Sequence, residues 1–245
     1  MKRTSHNHRG RPEHDADPQL ILSPILDWFE HQGWSPLPFQ RRTWEAHLQG
    51  LSGLIQVPTG SGKTYAAVMG PIAQMLASAN EQAGIRLLYI TPLRALGRDL
   101  AVALQQPIEA MGWPLRVGIR NGDTPTAERS RQTRTPPEIL ITTPESLCVL
   151  LASRHCEALF KTLETVVLDE WHELIGSKRG IQAELALSWL RQQRPQLQTW
   201  AISATIGNLE ESARHALGER CEPCLITGAP KRGLDVTSIL PDSID

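Results

Sequence analysis

The sequence predicts an α/β protein built on a mostly parallel sheet with helices on both faces. Short apolar runs alternate with longer segments of helical periodicity along most of the 245 residues, which is the rhythm of strand–helix–strand units. The polar motifs come directly after apolar runs, and parallel sheets bind ligands beyond the carboxyl ends of their strands. Hydrophobic residues make up 40% of the chain, which is enough for a sizeable core.

Composition and charge exclude several classes of protein. The formal net charge of -1 gives no general attraction to nucleic acid, so such binding has to come from a local patch. We expect no membrane partner, because no run of about 18 apolar residues occurs and the polar N-terminus lacks the apolar core of a signal peptide. Four cysteines do not make a disulfide framework in a chain of this length, which favours a cytoplasmic protein with reduced thiols.

Residues 1–18 are expected to form a disordered tail, because they are polar and charged and include His6, His8 and His14. A solvated tail is preferred to a metal site there, since no second group of ligands follows at zinc-like spacing. Residues 19–230 are predicted to form one domain without internal repeats.

Two helices are predicted before the sheet begins. Apolar side chains recur on one face of residues 18–32, which Gly33 ends, and a second helix over residues 40–49 is closed by Gly50. The predicted strands are residues 54–57, 86–90, 115–119, 138–141, 165–168 and 199–202. The other predicted helices are residues 66–77, 93–111, an arginine-rich stretch to about 134, a segment from 144, 181–191 and 209–217, with two short strands after them.

The segment from Pro58 to Thr64, called here the phosphate loop, has the features of an anion-binding turn. Gly60 and Gly62 allow a tight loop with converging N–H groups, and the following helix adds its N-terminal dipole. Lys63 suits the β- and γ-phosphate oxygens, and the Thr64 hydroxyl suits Mg²⁺. The predicted nucleotide contacts in the loop are Thr59, Gly60, Ser61, Gly62, Lys63 and Thr64. A glycine–serine turn before an ordinary surface lysine is the alternative.

Two acidic residues follow the apolar strand at residues 165–168. Asp169 can hold Mg²⁺, because that ion takes one or two carboxylates together with substrate phosphates. Glu170 can orient and deprotonate an attacking water. A solvated acidic turn is the alternative, which the phosphate loop disfavours. His172 can link this site to a neighbouring element by a hydrogen bond, or can be a plain turn histidine.

Two further motifs are compatible with the same site. The Gln40 amide can donate and accept at once, which suits an adenine edge, although a surface glutamine at a helix start fits equally well. The tripeptide Ser203-Ala204-Thr205 offers two hydroxyls after a strand and can link the γ-phosphate site to a moving partner domain. Because such a tripeptide occurs in many turns, this prediction depends on the other motifs.

Three other strand ends carry groups that can bind a sugar–phosphate backbone without reading its sequence. They offer hydroxyls, helix-start N–H groups and the guanidinium of Arg94. The residues predicted to contact nucleic acid are Pro92, Arg94, Gly122, Asp123, Thr143 and Pro144. Arginines between residues 116 and 134 add positive charge, although arginines on an exposed helix commonly bind nothing.

In chain order these motifs resemble the first motor domain of superfamily 2 helicases of the DEAD/DEAH-box (DExH) type, a RecA-like P-loop NTPase domain. The residues that carry the resemblance are Gln40, Pro58 to Thr64, Thr91-Pro92-Leu93-Arg94, Thr143-Pro144-Glu145-Ser146, Asp169-Glu170-Trp171-His172 and Ser203-Ala204-Thr205. The segments Arg120-Asn121-Gly122-Asp123-Thr124 and Lys178-Arg179-Gly180 are similar to the large-helicase-related (Lhr) group, and within it to the bacterial ligase-associated branch. The resemblance covers about residues 20–240.

The resemblance implies ATP and Mg²⁺ as cofactors and an ATP-dependent helicase as the activity. It implies that Gln40 contacts adenine, that Lys63, Glu170 and His172 serve catalysis, and that residues 203–205 couple hydrolysis to movement. Full-length relatives are 3′-to-5′ translocases on DNA, so it implies single-stranded DNA rather than RNA, with a DNA ligase and other repair proteins as partners. The residues named do not probe a 2′-hydroxyl, so this preference comes from the family alone.

The resemblance also implies an incomplete motor. Relatives carry a second RecA-like domain with arginine fingers, which are worth about 10³ to 10⁵ in rate. Residues 231–245 are interpreted as the start of the linker to that missing domain, so we expect the chain to bind ATP and hydrolyse it poorly alone. The alternative is a non-motor module that binds nucleic acid or a partner, with ATP as a structural ligand. A small-molecule kinase is disfavoured, since kinases lack these strand-end motifs.

Overall fold

The structure, a computed structural model, describes residues 17–78, 84–218 and 221–228. The strands are β1 (Gly53–Gln56), β2 (Leu87–Ile90), β3 (Val117–Arg120), β4 (Ile139–Thr142), β5 (Thr165–Leu168), β6 (Gln198–Ser203) and β7 (Cys224–Thr227). The helices are α1 (Pro18–His31), α2 (Pro38–Leu48), α3 (Lys63–Ala77), α4 (Arg94–Met111), α5 (Thr126–Arg134), α6 (Pro144–Leu151), α7 (Cys156–Phe160), α8 (Trp171–Leu174), α9 (Lys178–Gln193) and α10 (Leu209–Leu217). Nearly all of the predicted tail and the whole of the predicted linker lie outside the described residues.

The seven described strands form one sheet in the order β3-β4-β2-β5-β6-β1-β7. Every neighbouring pair is parallel, which confirms the predicted fold class. Because the strands are parallel, their carboxyl ends meet at a single edge. The loops after β1, β2, β5 and β6 therefore come together there, although their residues are far apart in the chain.

Both faces of the sheet are covered by helices. Successive residues of a strand point to opposite faces, so Ile55 packs in the cluster with α1 to α4 while Leu54 packs in the cluster with α6 to α10. Strands buried on both sides read as continuous apolar runs, which is why the sequence indicated them. In the described part of the chain no helix has the length and apolar character that a bilayer span requires.

The local differences from prediction have simple causes. Helices α7 and α8 were not predicted, because segments of five and four residues are too short to show a helical period. Strand β3 begins at Val117, two residues later than predicted, because Arg116 pairs with Glu138 through its backbone N–H and guanidinium. After α10 the described residues hold one strand, β7, where two were predicted.

Candidate active site

The phosphate loop connects β1 to α3 with two glycines in the left-handed region. Gly60 has φ 76° and Gly62 has φ 86°, a conformation that costs little only without a Cβ. The Ser61 hydroxyl donates to the Pro58 carbonyl over 2.6 Å and braces the turn. No side chain caps the N-terminus of α3. The first N–H groups of this helix are therefore left for an anionic ligand, at the positive end of the helix dipole.

Lys63 and Glu170 meet at the carboxyl edge of the sheet. Lys63 Nζ donates to Glu170 Oε1 over 3.0 Å, and the two side chains are 8% and 22% exposed. Glu170 is also the one non-glycine residue with a positive φ, 43°, among the residues described. A left-handed glutamate is strained and is held by its surroundings, as strained residues at functional sites often are.

Asp169 lies directly after β5, and its N–H continues the ladder to the Ile90 carbonyl over 2.8 Å. Its pKa is raised to about 6, mainly because burial disfavours the charged form and secondly because Glu170 is a neighbouring charge. The nearby Tyr89 hydroxyl, the Glu170 N–H and the charge of Lys63 lower this pKa. This carboxyl is therefore held where a cation would stabilise its ionised form.

The donor set fits Mg²⁺ better than a metal held by protein alone. The described residues hold no group of three or more His, Cys, Asp and Glu side chains that could bind a metal. Mg²⁺ keeps several waters and takes one or two carboxylates with substrate phosphates. Asp169 and the Thr64 hydroxyl would supply the protein ligands. Both act on the pKa of the buried Tyr89 hydroxyl, which Asp169 raises and Thr64 lowers.

His172 and Ser203 connect the acidic pair to β6. Ser203 Oγ lies 3.1 Å from His172 Nδ1, and the same nitrogen lies 3.5 Å from Glu170 Oε2. Ser203 also donates to the Thr205 carbonyl over 3.4 Å. The structure thus joins the predicted catalytic and coupling residues in one polar chain, with Ala204 in the turn between them.

Gln40 lies against the phosphate loop and not on the open surface. The side chain is 3% exposed, its Oε1 accepts from the Leu37 N–H over 2.8 Å, and its Nε2 donates to the Gly62 carbonyl over 3.1 Å. A Cβ at residue 62 would lie 2.7 Å from that Nε2 atom. Glycine at this position therefore serves the Gln40 contact as well as the turn.

Three of the predicted nucleic-acid contacts form one exposed group. Arg94 Nη1 lies 3.0 Å from Asp123 Oδ1, with side chains 59% and 58% exposed. The guanidinium lies over Gly122, where an added Cβ would be 2.8 Å from its carbon. The loops after β2 and β3 therefore present a cation and an anion side by side at the carboxyl edge.

The other three predicted contacts are buried. Thr143 is 2% exposed, and its hydroxyl accepts from the Ser146 N–H as the N-cap of α6. Pro144 fills the first position of that helix, as proline often does, and Pro92 is buried at the end of β2. In this conformation these residues shape the loops beneath the surface group.

The arginines near α5 mostly serve the fold. Arg116 pairs with Glu138, Arg131 pairs with Glu128, and Arg129 donates to the carbonyls of residues 121 and 122. Arg120 donates to the Arg129 carbonyl. The predicted positive patch is consequently smaller than the number of arginines suggests.

Two groups at this edge gave no functional signal in the sequence. Tyr89 lies inside β2 and reads as an ordinary apolar strand residue, so no motif singled it out. Arg179, which the sequence analysis named only as part of a family segment, pairs with Glu145 across α9 and α6. The pairing depends on how α6 and α9 pack, which a linear pattern does not show.

The fold and this constellation define a P-loop nucleotide-binding domain of the helicase type. Residues 37–212 match the DEAD/DEAH box helicase family, and the chain belongs to that family.

The similar proteins include several Lhr helicases. The chain is 38% identical over 241 residues to the Lhr helicase/uracil glycosylase of Escherichia coli, covering 88% of this chain and 15% of that protein. It is 34% identical over 231 residues to the ATP-dependent helicase Lhr-Core protein 2 of Thermococcus barophilus, covering 89% of this chain and 26% of that protein. The chain therefore spans less than a third of either relative.

The chain is also similar to solved structures of helicases. The helicase Lhr of Mycobacterium smegmatis, bound to ssDNA and AMP-PNP, has a TM-score of 0.78 and 34% identity, covering 88% of this chain and 29% of that one. The DEAD-box helicase Mss116, bound to ssRNA and UDP-BeF, has a TM-score of 0.74 at 19% identity, covering 84% of this chain and 43% of that one. The second likeness concerns the fold alone.

Proposed function

We propose that this chain is the ATP-binding part of an Lhr-like DExH motor that couples ATP hydrolysis to movement on nucleic acid. The observation that carries the proposal is the approach of Lys63 to Glu170, which are 107 positions apart in the chain. Asp169 lies beside them, and an uncapped helix N-terminus faces the same edge. Phosphate-loop sites combine such a lysine and helix N-terminus with a carboxylate that holds Mg²⁺.

Each residue then has a specific part. The loop N–H groups and Lys63 bind the phosphates, while Thr64 and Asp169 would hold Mg²⁺, which neutralises charge on the transferred phosphoryl group. Glu170 takes the proton of the attacking water once Lys63 has moved to the phosphates. Gln40 positions the loop through Gly62 and, in this proposal, also contacts adenine.

The chain of hydrogen bonds through His172 and Ser203 transmits the state of the site to β6 and the loop after it. Arg94 and Asp123, with Gly122 beneath them, form the surface that touches one nucleic-acid strand. We infer single-stranded DNA as that strand, because the similar Mycobacterium smegmatis Lhr was solved with ssDNA.

The properties of a whole motor are part of the proposal. We expect these 245 residues to hydrolyse ATP slowly as a unit, because this class of motor takes arginine fingers from a second RecA-like domain. A DNA ligase and other repair proteins are the proposed partners, through the ligase-associated branch of the Lhr group. All four cysteines are free thiols, which is compatible with the cytoplasm.

A non-motor module is the second candidate, and one observation favours it. In this structure the proposed catalytic carboxylate is paired with Lys63, an arrangement that also suits an ion pair with a purely structural role. An ATPase assay with and without single-stranded DNA, with a second RecA-like domain from a relative added in trans, separates the two. Stimulation by DNA supports the motor, and its complete absence supports the module.

Calorimetry with Mg·ATP tests the proposal itself. Lys63→Ala is expected to abolish binding, because it removes the ammonium that contacts the phosphates. The matched control is Lys161→Ala, which removes an exposed lysine before β5, at the opposite edge of the sheet. Unchanged affinity in the Lys63 variant would overturn the assignment.

A further inference from the structure

Tyr89 lies under the candidate active site, in the middle of the sheet. It pairs in register with Val167 of β5 and packs in the core cluster that includes the apolar face of α3. Asp169 follows Val167 by two residues, so alternation along the strand directs its side chain to the same face. Tyr89 therefore points to the face of the sheet that α3 covers, on the same side as Asp169.

The hydroxyl of Tyr89 is an unusual group for such a place. The side chain is 0% exposed, yet its hydroxyl has no hydrogen-bond partner of normal geometry among the residues described. Buried polar groups are rarely left in that condition, and each exception needs an explanation. The pKa of Tyr89 is raised well above its usual value by burial, then by the charge of Asp169 and by donation towards its carboxylate, while Thr64 lowers it. Its polar neighbours are thus the two residues that would hold the metal.

We propose that Tyr89 is a positioning residue that donates its hydroxyl hydrogen to the Asp169 carboxylate and fixes the orientation in which that carboxylate binds Mg²⁺. The inference rests on the proposed function and adds a residue that no motif includes. A carboxylate that binds a metal is ordinarily held by a hydrogen bond from behind, and loss of such a partner typically weakens metal binding by about 10- to 100-fold.

The experiment compares Tyr89→Phe with wild type by calorimetry of ADP binding, at several Mg²⁺ concentrations and in EDTA. The variant should need about tenfold more Mg²⁺ to reach its full ADP affinity, and its affinity in EDTA should be unchanged. The matched control is Tyr65→Phe, since the chain has two tyrosines and the Tyr65 hydroxyl donates to the Ala103 carbonyl over 3.3 Å. That control should keep the wild-type dependence on Mg²⁺.

Each outcome gives a decision. An unchanged dependence on Mg²⁺ in the Tyr89 variant, or an equal loss of affinity in EDTA, overturns the positioning role. Failure of the wild-type chain to bind Mg·ADP overturns the proposed function instead. A measurement without any variant uses the ring ¹³C signals of the two tyrosines: adding Mg²⁺ to the ADP-bound chain should shift the Tyr89 signal, and no shift counts against the inference.

Discussion

Lys63 Nζ lies 3.0 Å from Glu170 Oε1, so the proposed phosphate-binding cation and the proposed general base form an ion pair in this structure. Both groups are largely withdrawn from water, where an ion pair is stabilising only when its geometry is good. In the proposed motor a nucleotide would have to separate them, because its phosphates would take the ammonium and the attacking water would need the carboxylate. Nucleotide binding would then also free the proposed base.

Glu170→Gln should bind Mg·AMP-PNP about fivefold more tightly than wild type, which corresponds to about 1 kcal/mol. The nucleotide would no longer compete with a carboxylate for Lys63, and repulsion between that carboxylate and the phosphates would be lost. Calorimetry measures the affinity. Glu173→Gln is the matched control, because its exposed carboxylate is near His172 and away from Lys63. An affinity that stays equal or falls would contradict the competition.

Asp169→Asn should stabilise the metal-free chain, and the gain should depend on pH. The pKa of Asp169 is raised from 3.8 to about 6 in the folded state, so between those values the folded chain holds a proton that the unfolded chain has released. Its contribution to stability is highest near pH 4, falls as the pH rises to about 6, and stays low above that. Between low and high pH, the contribution of Asp169 to the free energy of unfolding changes by about 3 kcal/mol.

Denaturant unfolding in EDTA at pH 4.5 and pH 8 measures this difference. The variant should exceed wild type in free energy of unfolding at pH 8, and the excess should shrink at pH 4.5. The exposed Asp99→Asn is the control, for which a small difference is expected. An excess that grows on acidification would contradict the raised pKa of Asp169 in the folded state.

The hydrogen bond between Ser203 and His172 should appear as a coupling of about 1 kcal/mol in the free energy of unfolding. Ser203→Ala, His172→Ala and the double variant form the cycle, measured by denaturant unfolding. Because the polar contacts of these two side chains are with each other, with Glu170 and Glu173, and with the Thr205 carbonyl, each single variant should keep its Mg·AMP-PNP affinity within about twofold. Strictly additive losses would mean that the contact at 3.1 Å contributes nothing.

Arg94→Ala and Asp123→Asn should change single-stranded DNA binding in opposite directions. The arginine is expected to contact a phosphate, so its loss should weaken binding and reduce the salt dependence by about 0.7 in log–log slope. The aspartate holds the same guanidinium and repels phosphate, so its neutralisation should strengthen binding about two- to fivefold.

Fluorescence anisotropy of a labelled oligonucleotide at several salt concentrations measures both effects, and an RNA of the same sequence tests the preference for DNA. The ion pair of the exposed Arg131 with the half-buried Glu128 on α5 supplies the controls Arg131→Ala and Glu128→Gln, which should stay within about twofold. Weaker binding in the Asp123 variant would mean that the carboxylate orients the arginine more than it competes for it.

The sequence predicted the parallel sheet because its inner strands are buried on both faces, and it predicted the site because polar motifs follow strands. It did not predict the strand order, since the order depends on where each crossover helix packs. Ile55 lies between Ile202 and Ile226, and nothing in the linear pattern of β1 indicates those neighbours.

The same limit applies to side chains. Arg94 and Asp123 were each predicted to contact nucleic acid, whereas their pairing appears only when β2 and β3 are placed near each other. Thr143 and Pro144 were predicted to contact nucleic acid, but their sequence also indicated a helix start, because threonine followed by proline is a typical N-cap and first residue of a helix. Tyr89 gave no signal, since its importance arises from two residues on other elements.

The position of β1 has a consequence for synthesis on the ribosome. This strand delivers the phosphate loop, but its two hydrogen-bonded neighbours are β6 and β7, which are translated after all the other described strands. A nascent chain therefore carries β1 with both edges unpaired until Ser203 has emerged and with one edge unpaired until Thr227 has emerged, and unpaired edges invite pairing with other chains. Chaperone protection during translation would be needed most by the strand that later holds the nucleotide.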